Sequence, residues 1–216
     1  MRSATFPLFC KPIAASNGLY AEVMSDAPAF DDFAARVSRE HFAILIQPFL
    51  SGVEHRVFVL EGRVLFSYRK HLPRIAGDGR STASALIEAL PRESAPPLER
   101  TRLKSESGRL FGLDGVPARG ELLTLEGPAN RAAGGGAGDL VDGAPSPLAQ
   151  LALAATQALG LGLAAVDAFD LSPAGDLTQL CIIEVNSNPM IKTLEDHDRW
   201  DLIDEIWRAN FAAALR

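Results

Sequence analysis

Two consecutive apolar runs near the C-terminus each contain a carboxylate, and this pattern constrains the fold more than any other feature of the sequence. "GLAAVDAFDLS" carries Asp167, "IIEVNSNP" carries Glu184, and a turn at Pro173 to Asp176 separates them. Both runs predict β-strands, and the short turn predicts an antiparallel hairpin in which the two carboxylates lie nearly opposite on one face. Like charges placed this way repel, so burying them requires a neutralising cation.

The residue two positions after Glu184 extends the oxygen-bearing face. Asn186 points to the same side of its strand as Glu184, which gives three oxygen ligands together with Asp167. Oxygen-only ligands suit a hard cation, and so few of them suit Mg²⁺, which shares phosphate oxygens and keeps waters. We therefore predict Mg²⁺, with Mn²⁺ as the alternative, bound together with a nucleotide. The spacing also leaves open that Asp167 points to solvent from an edge strand while Glu184 pairs with an arginine.

Composition narrows the class of protein. The chain has 216 residues, 47% of them hydrophobic, which predicts one domain or two closely joined subdomains with a sizeable core. A net charge of -6 disfavours a broad nucleic-acid-binding surface. Cys10 and Cys181 have no CxxC spacing, so we predict neither a disulfide framework nor a zinc site and expect a reducing cytoplasm. No apolar stretch has the roughly 18 residues of a membrane span, so no membrane partner is expected.

Hydrophobic periodicity and turn signals predict an α+β chain. Strands are expected at "FPLFCKP", "FAILIQ", on both sides of a Glu61-Gly62 turn, and at "RGELLTLEG", in addition to the two carboxylate-bearing strands. Residues 91–108 are expected to be an exposed, mobile connection, and the segment "PANRAAGGGAGDLVDGAPSP" a long loop. The predicted helices are 29–40, 81–90, 147–159 and the closing segment "DRWDLIDEIWRANFAAAL", where Trp200 and Trp207 are expected to be packing residues.

Two small-residue loops are candidates for covering phosphates. "AASNGLYAEV" follows a strand that bears Lys11, so its backbone N–H groups could surround a phosphate chain, with Lys11 as the point charge. "NRAAGGG" is a second such loop. Each is equally an ordinary turn or a flexible linker when taken alone. Neither matches GxGxxG or GxxxxGK[ST], which disfavours a dehydrogenase or a P-loop protein.

Taken in order, "FCKP...SNG", "IQPFLSGVEHRVFVLEGRV", "AGDGRST", "PANRAAGGGAGDLVD", "GLGLAAVDAFD" and "IIEVNSNP" resemble the ATP-grasp ligases, and among them the cyanophycin synthetase and fused bacterial glutathione synthetase types. The resemblance implies two α/β subdomains with mixed or antiparallel sheets that clamp ATP. It implies a partial nucleotide-binding subdomain over residues 1–50 and a subdomain with the metal and transfer site over 51–216. It also implies that the N-terminal part of the usual fold is missing.

The resemblance assigns roles to residues of the nucleotide site. Lys11 is expected to contact the α- and β-phosphates, and Glu54 to hold the ribose hydroxyls. Asp167, Glu184 and Asn186 match the magnesium ligands of the family. The phosphate-covering loop "ASNG" contains Ser16, Asn17 and Gly18, and the hinge whose backbone reads adenine comprises Gln47, Pro48, Phe49 and Leu50.

The resemblance also assigns the transfer chemistry. Arg56 is expected to lie toward the phosphates and Asn130 to line the transfer site, while Lys70 faces the acylphosphate, with Arg69, His71 and Arg74 as alternatives to Lys70. The implied reaction joins a carboxylate to an amine of an amino acid or small peptide. An acylphosphate intermediate explains the residue types, because both steps carry dense negative charge and need a metal and fixed cations more than a covalent nucleophile.

Two departures from the family pattern qualify this expectation. Only ten residues precede Lys11, where the family has a further domain and another phosphate-contacting lysine, and "AASNGLY" lacks the family's extra glycines. The chain is therefore expected to be either a fragment of a longer ligase or a shortened form, with a homo-oligomer or an N-terminal domain as its protein partner. The alternative function is a non-catalytic ATP-binding or interaction module.

Overall fold

A computed structural model describes residues 5–14, 20–90, 102–126, 136–138 and 140–215 of the chain. The described part forms two compact units. The first is drawn from residues 1–49 and 71–136, and the second from residues 50–70 and 137–216. The boundary between Phe49 and Leu50 lies within the predicted hinge, whereas the assignment of nucleotide and transfer functions to residues 1–50 and 51–216 stays a prediction.

The first unit contains a three-stranded antiparallel sheet covered by one helix. The strands are β1 (Leu8–Pro12), β2 (Glu22–Met24) and β3 (Ile44–Pro48), in the order β2-β1-β3, and the helix is α1 (Ala27–Val37). The Asp26 side chain caps α1 by accepting a hydrogen bond of 2.9 Å from the Ala29 amide. Phe33 and Val37, one helical turn apart, are fully buried against Leu8 and Cys10.

A second sheet of the first unit has its own core. The strands β6 (Arg74–Ala76), β7 (Arg102–Ser105), β8 (Leu110–Phe111) and β9 (Leu122–Glu126) form the order β6-β9-β7-β8, and α2 (Ala83–Glu88) packs on it. The expectation of an exposed connection over 91–108 is wrong for its C-terminal part, because β7 lies there and Leu103 is buried. The remainder of that connection, 91–101, lies outside the described residues.

The second unit is built on one larger sheet. Its strands are β4 (Val53–Leu60), β5 (Arg63–His71), β10 (Gly136–Ala137), β11 (Val141–Asp142), β12 (Leu163–Asp170) and β13 (Leu180–Asn186). The order is β10-β5-β4-β12-β13, and β11 also pairs with β5. The predicted Glu61-Gly62 hairpin is present, and the positive φ angles of these two residues, 47° and 77°, explain why a glycine follows Glu61. The short strands β10 and β11 lie inside the segment that was predicted to be loop throughout.

Helices cover both faces of this sheet. Helix α3 (Ser146–Ala158) packs one face through Leu148 and Ala152. Helices α4 (Lys192–Asp196) and α5 (Trp200–Ala214) pack the other face through Leu194, Leu202 and Ile206. The prediction that Trp200 and Trp207 are packing residues is wrong, since 60% and 51% of their surfaces are exposed. None of the helices in the described residues is long and apolar enough to cross a membrane.

Two β-bulges interrupt the pairing in the hairpins of the second unit. In β5, Phe66 lies opposite Phe58 but Val64 lies opposite Val59, so Leu65 is the extra residue. In β13, Glu184 lies opposite Asp167 but Ile182 lies opposite Ala168, so Ile183 is the extra residue. Each bulge shifts the rest of its strand by one position and thereby exchanges the faces to which the following side chains point.

Candidate active site

The face of the second unit's sheet that packs against α4 and α5 becomes polar toward one end. Asp167 lies on the inner strand β12, directly opposite Arg56 of β4 on one side and Glu184 of β13 on the other. Arg56 in turn lies opposite Tyr68 of β5. Alternation along the strands adds further polar side chains to the same face. The six predicted site residues on this face are Glu54, Arg56, Lys70, Asp167, Glu184 and Asn186.

Both oxygens of the Asp167 carboxylate are bound by cationic side chains. Arg56 makes a two-pronged contact, with Nε donating to Oδ1 and Nη2 donating to Oδ2, each at 2.7 Å. Lys70 Nζ also donates to Asp167 Oδ2, at 2.9 Å, and donates to Glu54 Oε1 at 2.5 Å. The side chains of Lys70 and Asp167 are only 6% and 4% exposed, so this ion-pair cluster is held in a low-dielectric environment.

Burial and the charge partners act in opposite directions on these groups. Burial would raise the pKa of the Asp167 carboxyl, but hydrogen bonds from Arg56 and the charge of Lys70 outweigh it, so the pKa lies below its ordinary value. Burial would likewise lower the pKa of Arg56, but its hydrogen bonds to Asp167 raise it. The stabilisation from ionised Asp167 is therefore present above the ordinary aspartate pKa of about 3.9 and is lost as the pH falls through the lower folded value.

The expectation that Asp167 and Glu184 lie opposite one another is met by the strand register. The alternative in which Asp167 occupies an edge strand is wrong, because β12 lies between β4 and β13 and Asp167 is buried. Arg56 pairs with Asp167, and the other part of that alternative, an arginine paired with Glu184, stays a prediction. Glu184 is exposed, and the Asn186 side-chain oxygen accepts a hydrogen bond of 2.9 Å from the Asn188 amide. The metal-ligand roles of these residues stay predictions.

Four basic residues were candidates for the transfer site. Lys70 and Arg69 are neighbours on β5, so their side chains point to opposite faces of the sheet. Lys70 reaches Asp167, whereas Arg69 lies opposite His55 and therefore points to the other face of the sheet. His55, Arg69 and Asp170 line a cavity of about 260 Å³ there. Burial, followed by the charge of Arg69, lowers the pKa of His55, which favours the neutral imidazole. His71 and Arg74 belong to the other unit.

Two of the predicted nucleotide residues of the first unit, Lys11 and Gln47, share one face of its three-stranded sheet, whereas Pro48 lies opposite Leu8 on the face toward α1. Lys11 lies opposite Leu45, and Phe9 lies opposite Gln47, so all four side chains point away from α1. The Phe49 amide donates to the Pro7 carbonyl at 3.1 Å, so this hinge N–H is already paired within the unit. Ser16, Asn17, Gly18 and Asn130, predicted for the phosphate loop and the transfer site, lie outside the described residues.

The structure adds to this face one residue that the sequence did not single out, Tyr68 of β5. The Tyr68 ring is buried beside Phe66, and its hydroxyl accepts a hydrogen bond of 3.4 Å from Thr193 of α4. An electrostatic interaction and a hydrogen bond with Tyr68 further raise the pKa of Arg56. The available signal was the alternation of Phe66, Tyr68 and Lys70 along "FSYRK", which places an aromatic hydroxyl between the core and the predicted cation.

The predicted metal ligands are of the atom type that a hard cation prefers. Asp167, Glu184 and Asn186 supply oxygen atoms only, on adjacent strands and one face, which is the chemistry Mg²⁺ prefers. The described residues contain no group of three or more His, Cys, Asp or Glu side chains gathered around one point. Both oxygens of Asp167 are engaged by Arg56 and Lys70 in this structure. These three residues would hold the metal, and the metal would neutralise phosphate charge.

The fold is of the ATP-grasp type, as predicted. The chain aligns with the crystal structure of D-alanine–D-alanine ligase from Bacillus anthracis with a TM-score of 0.56 and 14% identity, covering 96% of this chain and 55% of that one. This likeness concerns the α+β fold alone. No protein-family model matches the sequence.

The chain is similar in sequence to two proteins that are longer than it is. Over 210 residues the chain is 28% identical to the glutathione biosynthesis bifunctional protein GshAB of Enterococcus faecalis, covering 88% of this chain and 27% of that protein. Over 201 residues it is 27% identical to the cyanophycin synthetase of a Nostoc species, covering 85% of this chain and 22% of that protein. The expected likeness to the ATP-grasp carboxylate-amine ligases is therefore confirmed. The chain spans about a quarter of the length of these curated relatives.

Proposed function

We propose that this chain carries the nucleotide and metal chemistry of an ATP- and Mg²⁺-dependent ligase that joins a carboxylate to an amine of an amino acid or small peptide. One observation carries the proposal: a single sheet face gathers two cationic side chains with the oxygen donors of Glu54, Asp167, Glu184 and Asn186. Phosphoryl transfer needs this combination, because the transferred group is dense in negative charge and must be neutralised and positioned.

The proposed role of each residue follows from the chemistry of its side chain. Lys70 and Arg56 are fixed cations that would bind phosphate oxygens, Arg56 through its planar two-pronged donor geometry. Bound Mg²⁺ would supply charge neutralisation at the phosphates. Attack of the substrate carboxylate on the γ-phosphate would break the bond to ADP and give an acylphosphate, and an amine would then displace phosphate.

The sheet face of the first unit supports the nucleotide part of the proposal. Phe9 and Leu45 give it apolar surface, while Lys11 and Gln47 give it one cation and one amide. A flat base with a charged tail is complementary to such a surface. Binding of adenine at Gln47, Pro48, Phe49 and Leu50, and of the ribose by Glu54, belongs to this proposal.

The transfer reaction is tested by ADP release. We expect ADP and phosphate to accumulate when the purified protein, ATP and Mg²⁺ are incubated with the right pair of amino acids or peptides, and to require both substrates. A coupled assay over a matrix of such pairs measures this. An Arg56→Lys variant is the informative comparison, since it keeps the charge but loses the two-pronged geometry and is expected to slow release by roughly tenfold or more.

A nucleotide-binding module without turnover is the second candidate function. The observation that favours it is the engagement of both Asp167 oxygens by Arg56 and Lys70. Both candidates bind ATP, so they separate on ADP release. Binding of ATP without release of ADP above background for any substrate pair, with the full gene product as well, favours the module.

The metal assignment is tested by Glu184→Gln. The change removes one charge and leaves the size of the side chain, so we expect Mg²⁺-dependent ATP affinity to fall by roughly tenfold, or about 1.4 kcal/mol. Calorimetry with and without Mg²⁺ measures this. Glu61→Gln is the matched control, because Glu61 is an exposed residue in the hairpin turn of the same unit. Equal ATP affinity in the Glu184→Gln and wild-type proteins would remove Glu184 from the metal site.

A further inference from the structure

The ion pairs around Asp167 join two carboxylates to two cations in the described residues. The carboxylates are those of Glu54 and Asp167, and the cations are Arg56 and Lys70. The Lys70 ammonium bridges the carboxylates, at 2.5 Å from Glu54 Oε1 and 2.9 Å from Asp167 Oδ2. No buried side-chain nitrogen or oxygen lacks a hydrogen-bond partner in the described part of the chain. Each of these four side chains thus has an ion-pair partner within the cluster.

We infer that Lys70 is an internal counter-ion that replaces the metal at Asp167 until nucleotide binds, so that the site takes up a divalent cation only together with phosphate. This inference rests on the proposed function, because it takes Asp167 as a metal ligand. It adds a regulation of that site: metal binding and nucleotide binding are coupled through the cations that hold Asp167, to which Lys70 contributes one charge.

Electrostatics gives the coupling its direction. A divalent cation at Asp167 would lie within a few ångströms of the Lys70 and Arg56 charges, and repulsion is strong where water is scarce. The phosphates of a nucleotide offer both cations new oxygen partners, which releases Asp167 to the metal. Because the coupling is a property of the equilibrium, the metal must strengthen nucleotide binding by the same factor.

A lysine variant tests the inference without any measurement of activity. In the absence of nucleotide, Lys70→Met is expected to bind Mn²⁺ at least about tenfold more tightly than wild type, since a positive charge beside the metal has been removed. The electron paramagnetic resonance signal of free Mn²⁺ during titration measures this. Lys192→Met is the matched control: Lys192 lies on α4 and is 54% exposed, so its Mn²⁺ affinity should equal that of wild type.

A second variant and a melting experiment complete the test. The gain in Mn²⁺ affinity should disappear in the double variant Lys70→Met, Asp167→Asn. If Lys70→Met weakens the fold in metal-free buffer, Mn²⁺ should raise its melting temperature and should not raise that of the double variant. Either result supports the inference.

Wild-type binding of Mn²⁺ alone, as tight as that of Lys70→Met, would overturn the inference, and so would a gain that survives in the double variant. Calorimetry of wild type with a non-hydrolysable ATP analogue and Mg²⁺ is run in parallel. If the calorimetry detects no binding of the ATP analogue, the result counts against the proposed function. The role of Lys70 is tested separately by the Mn²⁺ titrations, which contain no nucleotide.

Discussion

Replacement of Asp167 by alanine is expected to destabilise the second unit by about 3–5 kcal/mol in metal-free buffer, the range found when one partner of a buried ion pair is removed. The reason is that Arg56 and Lys70, whose side chains are only 21% and 6% exposed, lose their shared acceptor. Glu54 remains as an ion-pair partner of Lys70. Urea denaturation followed by tryptophan fluorescence measures the effect, since both tryptophans of the chain lie on α5 of this unit.

The control for this prediction is the same substitution at an exposed ion pair. Asp204 pairs with Arg208 on α5, where the two side chains are 62% and 78% exposed, so Asp204→Ala should change the free energy of unfolding by less than about 1 kcal/mol. A similarly small effect of Asp167→Ala would show that solvent screens the cluster. The low exposure of Asp167 and Lys70 would then no longer support their strong pairing.

Replacement of Phe66 by alanine is expected to cost about 3–5 kcal/mol of stability in the same unit, because a large aromatic ring leaves a closely packed core. Phe66 is 2% exposed and stacks between Phe58 and Tyr68, with ring centroids 4.8 Å and 6.4 Å away. Tyr68 lies between this core and Arg56, so loss of the ring should also loosen the support of the polar face. The change in the urea midpoint measures the stability effect.

The matched control is an exposed phenylalanine in the same unit. Phe211 is 63% exposed on α5, so Phe211→Ala should alter the free energy of unfolding by less than about 1 kcal/mol. Phe211 lies 5.9 Å from Trp207, and the fluorescence baseline will change, so circular dichroism should supply the midpoint for this variant. Equal midpoints for the two alanine variants would contradict the packing role of Phe66.

Local sequence patterns were sufficient to predict most of the helices and strands. The Glu61-Gly62 turn predicted its hairpin because the turn requires positive φ angles at both positions. Periodic apolar residues predicted α3 within one residue at each end. The two tryptophans show the limit of periodicity, because the heptad spacing of Trp200 and Trp207 identifies a common helix face but does not indicate whether another element covers it.

The sequence predicted which residue types form the candidate site, but it did not predict which residues lie opposite one another on neighbouring strands. Continuing the register from Leu60 and Arg63 without interruption would place Arg69 opposite Glu54, whereas the bulge at Leu65 brings Lys70 there. Continuing from Asp170 and Leu180 would place Ile183 opposite Asp167, whereas the bulge at Ile183 brings Glu184 there. Bulges depend on packing across the whole sheet. No local pattern in "RVLFSYRK" or "LCIIEVN" therefore predicts them.

These two bulges make the length of a strand, and not only its composition, a determinant of the chemistry. Deleting Leu65 would remove the bulge and leave Lys70 opposite Glu54, whereas deleting Ser67 with the bulge kept would turn Lys70 toward the α3 face and Arg69 toward Asp167. Deleting Ile183 would likewise remove its bulge and leave Glu184 opposite Asp167. In related chains, single-residue insertions and deletions in these strands are therefore as informative about the site as substitutions at the charged positions themselves.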